Sequence, residues 1–109
     1  MAGTPESKVK ASVVKLLNKY GVYYFFVPAN GYGRAGVPDI VCCADGKFLA
    51  IECKAGAGKT TALQDREIEK IQSAKGHAIV ARETNLDMVE LLIQELIRHD
   101  GKETNFYAV

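Results

Sequence analysis

Asp39, Glu52 and Lys54 are the residues of this sequence whose types and spacing admit chemistry: two carboxylates thirteen positions apart and an ammonium two positions further on. Carboxylates at such a distance serve one site only if the chain folds back between them. The apolar runs "VPDIVCCA" and "KFLAIECK" flank Asp45-Gly46, the strongest short-range hairpin signal. With a two-residue turn there, Ala44 faces Lys47, and counting back along both strands brings Asp39 opposite Glu52. Directly opposed residues hold their Cβ atoms about 4.5–5.5 Å apart, and residues two apart on a strand share a face, so Lys54 joins the pair. Cys53 points to the other face.

Like charges set opposite one another in a sheet are destabilising. Lys54 offsets part of that repulsion, and a divalent cation would offset more, because hard ions such as Mg²⁺ take carboxylate, carbonyl and water oxygens. The Cys53 carbonyl, lying between Glu52 and Lys54 in the chain, is a natural additional ligand. The alternative is a surface ion-pair cluster without function. The neighbours Ile40, Val41, Leu49, Ala50 and Ile51 are apolar enough to place these charges in central strands, where burying them without purpose costs several kcal/mol per ion.

Two glycine-rich stretches suggest nucleotide binding and fail on context. Gly58-Lys59-Thr60 ends like a phosphate-binding P-loop, but Cys53 stands where that pattern requires its first glycine. Gly31 to Gly36, "GYGRAG", fits G-x-G-x-x-G, yet Val37-Pro38 and a β-run follow it instead of the helix a dinucleotide fingerprint must open. No nucleotide cofactor is expected. Beside a pair of carboxylates, the loop suits close approach of a nucleic-acid backbone, with Tyr32 and Arg34 as phosphate or base-stacking contacts, unless it is simply a turn without a ligand. Lys59, Thr60 and Thr61 read as helix capping with a possible phosphate contact.

The elements that must position these residues follow from local signals. Thr4-Pro5-Glu6 reads as N-cap, proline in the first turn and an acid, and Val9, Val13, Leu16 and Leu17 recur at helical spacing, so a helix should run from about Pro5 to Lys19 and stop at Gly21. Val22 to Val27, "VYYFFV", reads as a strand ended by Pro28. After the hairpin, Thr60 or Thr61 caps a helix to about Lys75 with Gly76 beyond it, "HAIVAR" forms a fourth strand, and "NLDMVELLIQELIRH" forms an amphipathic helix capped by Asn85 or Thr84. Strands joined by hairpin-type connections should be antiparallel, and a strand reached through a helix can pair parallel. The expectation is an α/β (α+β) fold in the order α, β, β, β, α, β, α, with a mixed four-stranded sheet flanked by helices. The tail "GKETNFYAV" shows no clear pattern and suits a loose end or a dimer contact.

At 109 residues the whole chain reads as one domain, residues 1–109, with no internal repeat or linker. Its 48% hydrophobic and 25% charged residues are ordinary globular composition, and no apolar run reaches the roughly 18 residues of a membrane span. The start "MAGTPESKVK" lacks the apolar stretch of a signal peptide, and three cysteines suit a reducing, cytoplasmic compartment. All three cysteines are expected in the core. A net charge of +1 excludes any argument for nucleic acid from bulk charge. The case rests on local residues.

Those residues, "GRAGVPDIV … FLAIECKAGAGKTTALQ", resemble the virus-type replication-repair nuclease (VRR-NUC) family of the PD-(D/E)xK superfamily. The resemblance extends from Glu6 to about the fourth strand. It implies an αβββαβ core, a Mg²⁺-dependent endodeoxyribonuclease activity in which Mn²⁺ can substitute, a phage or bacterial setting, and a DNA partner. It further implies that Asp39 and Glu52 hold the metal together with the Cys53 carbonyl. Lys54 would position the attacking water and stabilise charge on the phosphate, and Gln64 would orient the site. Glu6 matches by position an acidic residue of related junction resolvases, although a carboxylate is also simply favourable at a helix start. Small stand-alone members resemble Holliday junction resolvases that act as homodimers. A nuclease for flaps, nicks or duplex DNA, and a non-catalytic DNA-binding module, are the alternatives.

Overall fold

The computed structural model describes residues 3–28 and 35–98. Tyr32, Arg34 and the tail from residue 99 lie outside the described residues. The elements run α1 (Pro5–Lys19), β1 (Tyr23–Phe26), β2 (Ile40–Ala44), β3 (Lys47–Cys53), α2 (Ala62–Ser73), β4 (His77–Ala81) and α3 (Leu86–Leu96). The expected order is met, and so is the expected α+β class with one mixed four-stranded sheet.

Helix α1 starts where its cap predicts, with the Thr4 hydroxyl accepting from the Ser7 N–H over 3.0 Å. Helix α2 begins with a reciprocal capping box: Thr61 Oγ1 accepts from the Gln64 N–H, and Gln64 Oε1 accepts from the Thr61 N–H. Thr61, rather than Thr60, is therefore the cap. At the far end of α2 it is Lys75, at φ 72°, that adopts the left-handed conformation. Gly76 is closely approached: a Cβ there would lie 3.0 Å from Ile71 and 3.1 Å from Phe48, whose side chains would have to yield by a few tenths of an ångström.

The sheet order is β1-β2-β3-β4, with β1, β2 and β3 antiparallel and β4 parallel to β3. Asp45 (φ 53°) and Gly46 (φ 82°) make the two-residue turn with positive φ at both positions. Ala44 pairs with Lys47 and Ile40 with Ile51, the register the turn dictates. Both acid-bearing strands are interior.

Alternation along the strands sorts their side chains into two faces. Ile40, Cys42, Ala44, Leu49, Ile51 and Cys53 form a core with Val9, Val13 and Leu17 of α1 and Val89, Ile93 and Leu96 of α3. The opposite face is packed by α2 chiefly over β4, with Gln64 of α2 reaching Glu52 of β3. Tyr23, Phe25 and Phe48 are consequently exposed. So is Cys43, contrary to the expectation that all three cysteines are core residues: Cys42 and Cys53 are buried and Cys43, on the uncovered face, is not.

Because β1, β3 and β4 run in one direction and β2 runs against them, the last residues of three strands and the first of β2 meet at one end of the sheet. Helices α2 and α3, the next elements after β3 and β4, begin at that end, where Gln64 of α2 bonds Glu52. Helix α1 begins there too, since Glu6 and Ser7 line a cavity with Asp39 and Cys53. No helix among the described residues is long and apolar enough to cross a membrane.

Candidate active site

Asp39 immediately precedes β2 and Glu52 is the penultimate residue of β3, so the hairpin register carries them to the same sheet end and the same face. Asp39 Oδ2 accepts the Cys53 N–H over 2.8 Å. That bond continues the ladder by one rung, with a side chain in place of a backbone carbonyl, and fixes the Asp39 carboxyl against the end of β3. The Asp39 backbone carbonyl in turn accepts the Val27 N–H over 2.8 Å.

Glu52 is 3% exposed. Its Oε2 accepts from Gln64 Nε2 at 2.9 Å and lies 3.6 Å from Lys54 Nζ. Its Oε1 is buried and has no hydrogen-bond partner among the described residues. Burial first, and then the negative charge of Asp39, push the Glu52 carboxyl up to about 7, although Lys54 pulls the other way. A buried acceptor without a donor, on a carboxylate already repelled by a second one, is a costly polar arrangement. An added cation would relieve it.

Lys54 follows β3, and its N–H donates to the Ala81 carbonyl over 3.0 Å. Its side chain is 14% exposed, so the ammonium is held near Glu52 while its stem is covered. Glu6 is exposed, in the first turn of α1, and shares a cavity with Thr4, Ser7, Lys10, Asp39 and Cys53. It therefore approaches the site from the α1 side, where Asp39 also lines the cavity, whereas Glu52 is bound by Gln64 of α2. Burial, followed by the charges of Asp39 and Glu52, raises the Cys53 thiol to about 12 and keeps it protonated. Among the described residues no group of three or more His, Cys, Asp or Glu side chains forms a ready-made metal cage. The converging oxygen donors are two carboxylates and the backbone beside them.

The glycine at the foot of the loop has a structural role. Gly36 sits at φ 86°, and a Cβ there would come within 2.6 Å of the Leu63 backbone carbonyl group and 2.9 Å of the Gln64 N. Its missing side chain lets the backbone at residue 36 abut the first turn of α2, which carries Gln64.

The loop after Lys54 is not built as a P-loop. A P-loop turns its N–H groups inward onto phosphates. Here the carbonyls of Gly56 and Gly58 face Arg82 Nη1, at 3.1 and 2.6 Å, and the Gly56 N–H donates to Glu83 Oε1 at 2.7 Å. The loop wraps a guanidinium. Lys59 is exposed on it, and the Thr60 hydroxyl donates to Asp65 Oδ1. Arg82 and Glu83 are the site neighbours that sequence reasoning missed, although Arg82 follows β4 directly and parallel pairing with β3 would have set it beside Lys54.

Comparison with known proteins agrees with this geometry. Residues 6–107 match the Hjc family, described as archaeal Holliday junction resolvase (hjc). The chain is 36% identical over 77 residues to a protein named "Putative nuclease p44" from Acyrthosiphon pisum secondary endosymbiont phage 1, covering 69% of this chain and 78% of that one. Two solved structures share the fold. A "VRR_NUC domain protein" superposes with a TM-score of 0.65 at 24% identity, covering 87% of this chain and 92% of its own. A "VRR_NUC domain" does so with a TM-score of 0.63 at 21% identity, covering 84% and 97%. The VRR-NUC likeness expected from the motifs is thus met in the fold, and over nearly its whole length the chain belongs to the Hjc family of nucleases.

Proposed function

We propose that the chain is a Mg²⁺-dependent, structure-specific DNA endonuclease that acts as a homodimer on four-way junctions. The observation that carries the metal-dependent reading is the state of Glu52, buried, repelled by Asp39 and left with an unpaired Oε1. Family membership supports nuclease chemistry.

The residues present fit a hard divalent cation. Asp39 and Glu52 would hold it, with the Cys53 carbonyl as a third oxygen ligand, because the C=O of a strand residue projects to the same strand edge as its N–H and that N–H is directed at Asp39. Few protein ligands suit Mg²⁺, which keeps several waters. Such an ion supplies Lewis-acid neutralisation of the scissile phosphate and lowers the pKa of attacking water.

The remaining work falls to the side chains. Gln64 donates to Glu52 Oε2 and so leaves Oε1 as the oxygen facing a ligand. Lys54 Nζ, fixed 3.6 Å from Glu52, donates to the attacking water or to a phosphate oxygen as charge builds there. The positive ends of three helices point toward the same region and favour an anionic substrate. Glu6 borders the site from α1, and Tyr32, Arg34, Lys59 and Thr60 are the proposed DNA contacts. Two copies related by a twofold axis would present two sites to the twofold axis of a junction.

A cleavage panel of four-way junction, flap, splayed arm and linear duplex, with Mg²⁺, Mn²⁺ or EDTA, tests this reading. Junction-selective, metal-dependent cutting by a dimer is expected. Equal cutting of duplex and junction by a monomer would remove the resolvase reading and leave a general nuclease. Binding without cleavage under every metal would leave a DNA-binding module.

A further inference from the structure

The loop of residues 55–60 is gripped from both sides, and the grip bears on Lys54. Arg82 extends β4 beyond Ala81, whose carbonyl already accepts the Lys54 N–H. Since Val80 pairs with Glu52 in the parallel ladder, the next even position, Arg82, emerges beside Lys54 on the same face. Its guanidinium then spans two carbonyls, Gly56 at 3.1 Å and Gly58 at 2.6 Å. Glu83 takes the Gly56 N–H at 2.7 Å, so Gly56 is held at both its polar groups. Asn85 anchors the clamp in turn, accepting the Arg82 N–H at 2.7 Å and donating to the Val80 carbonyl at 2.8 Å.

The clamped loop lies against the catalytic lysine. A Cβ built on Gly58 would stand 4.0 Å from Lys54 Cδ and 3.1 Å from the Ala55 carbonyl. Gly58 thus folds back over the Lys54 stem, with its own N–H donating to the Ala55 carbonyl over 3.0 Å. This explains how a lysine one residue beyond the end of a strand comes to be only 14% exposed. Without the loop above it, its four-carbon stem would sample many rotamers and its charge would spread through solvent.

We infer that Arg82, supported by Glu83 and Asn85, is a positioning residue that holds the Gly56–Gly58 loop over Lys54 and so fixes the ammonium beside Glu52. The catalytic part of this inference rests on the nuclease reading above; the geometric part does not. Arg82 spends its charge on backbone carbonyls and is not itself a phosphate contact.

Two readouts on the full chain test the two parts separately. In the metal-free protein, acylation of lysines by an amine-reactive ester is followed by mass spectrometry, with exposed Lys15 of α1 as the internal reference. Arg82→Ala is expected to raise the labelling rate of Lys54 several-fold relative to wild type, and Glu83→Ala to raise it less. Unchanged Lys54 labelling in both variants would overturn the clamp. In single-turnover cleavage, Arg82→Ala should lose on the order of 10- to 100-fold in rate. Because the one nitrogen Nη1 reaches both carbonyls, Arg82→Lys, whose ammonium offers three donors, should recover part of that loss and leave the DNA Kd at fixed salt unchanged. An unchanged cleavage rate in Arg82→Ala would overturn the positioning role. If wild type cleaves no DNA, the nuclease reading falls and the labelling result still decides the clamp. Should Arg82→Ala melt below the assay temperature, Glu83→Ala, altering an exposed residue, carries the labelling test alone.

Discussion

Gln64 and Glu52 are joined by a hydrogen bond of 2.9 Å that ties the start of α2 to a buried carboxylate. The same glutamine accepts the Thr61 N–H through its Oε1, so one side chain closes a capping box and orients an acid. Gln64→Ala removes both bonds. Stability should fall by about 1 kcal/mol, a drop of roughly 4–8 °C in Tm. Cleavage or metal affinity should fall about 10- to 100-fold, as is usual when the residue orienting a ligand is removed. A calorimetric scan beside a cleavage assay checks both. A change in Tm with full activity would reduce Gln64 to a cap.

Glu52 makes the metal-free protein sensitive to pH. Its carboxyl stands at about 7 in the folded chain, above its ordinary 4.5, because of burial and then of Asp39. A raised carboxyl pKa means that the folded state binds the proton more tightly. Its contribution to stability is therefore complete below about 4.5 and is lost as pH rises through about 7, with a magnitude of roughly 3 kcal/mol at most. Glu52→Gln should flatten that dependence, measured by urea unfolding in EDTA at a series of pH values. Mg²⁺ should act in the opposite sense, stabilising wild type more at about pH 8 than at about pH 6, since the ion competes with that proton. Equal Mg²⁺ stabilisation of wild type, Asp39→Ala and Glu52→Gln would place the ion elsewhere.

Lys54 and Lys59 should separate cleanly. Lys54→Ala is expected to abolish cleavage with the fold intact, because the ammonium sits beside Glu52. Lys59 is exposed on the loop, so Lys59→Ala should at most weaken DNA binding and make its salt dependence shallower by about 0.9 in slope, the share of one neutralised phosphate. Isothermal titration with ATP and Mg²⁺ should show no Lys59-dependent binding, as the adjacent carbonyls already face Arg82.

Gly36→Ala meets two obstacles at once. The left-handed φ of 86° costs of order 1–3 kcal/mol for a residue with a Cβ. That Cβ would also lie 2.6 Å from the Leu63 backbone, which must yield and carry Gln64 with it. The variant should lose stability and activity together. Recovery of both at low temperature, with unchanged amide shifts at Gln64, would argue that the clash is easily relieved.

The hairpin was legible because Asp45-Gly46 permits so few turn geometries, and a known turn fixes every pairing after it, down to Ile40 against Ile51. Pro5–Lys19 was legible from its cap and its apolar spacing. Cys43 was misjudged because strand periodicity names a face without saying how far a helix extends over it, and α2 stops short of β2. The positive φ at the end of α2 falls on Lys75, while Gly76 beside it is closely approached by Ile71 and Phe48, and neither fact is written in residue type alone. Arg82 was missed for a simpler reason. Its partners are backbone carbonyls, which leave no trace in residue type.

The turn at Asp45-Gly46 and the acids Asp39 and Glu52 stand at opposite ends of one short ladder. In kinetic terms such a hairpin closes by a small loop and zips outward from its turn, so the repelling carboxylates meet only after the strands between them have paired. Their repulsion then acts on a late step of pairing. Its relief should slow the opening of the native state and scarcely alter the rate at which it forms, so that a ligand bridging those two side chains would lengthen the lifetime of the fold without hastening its birth.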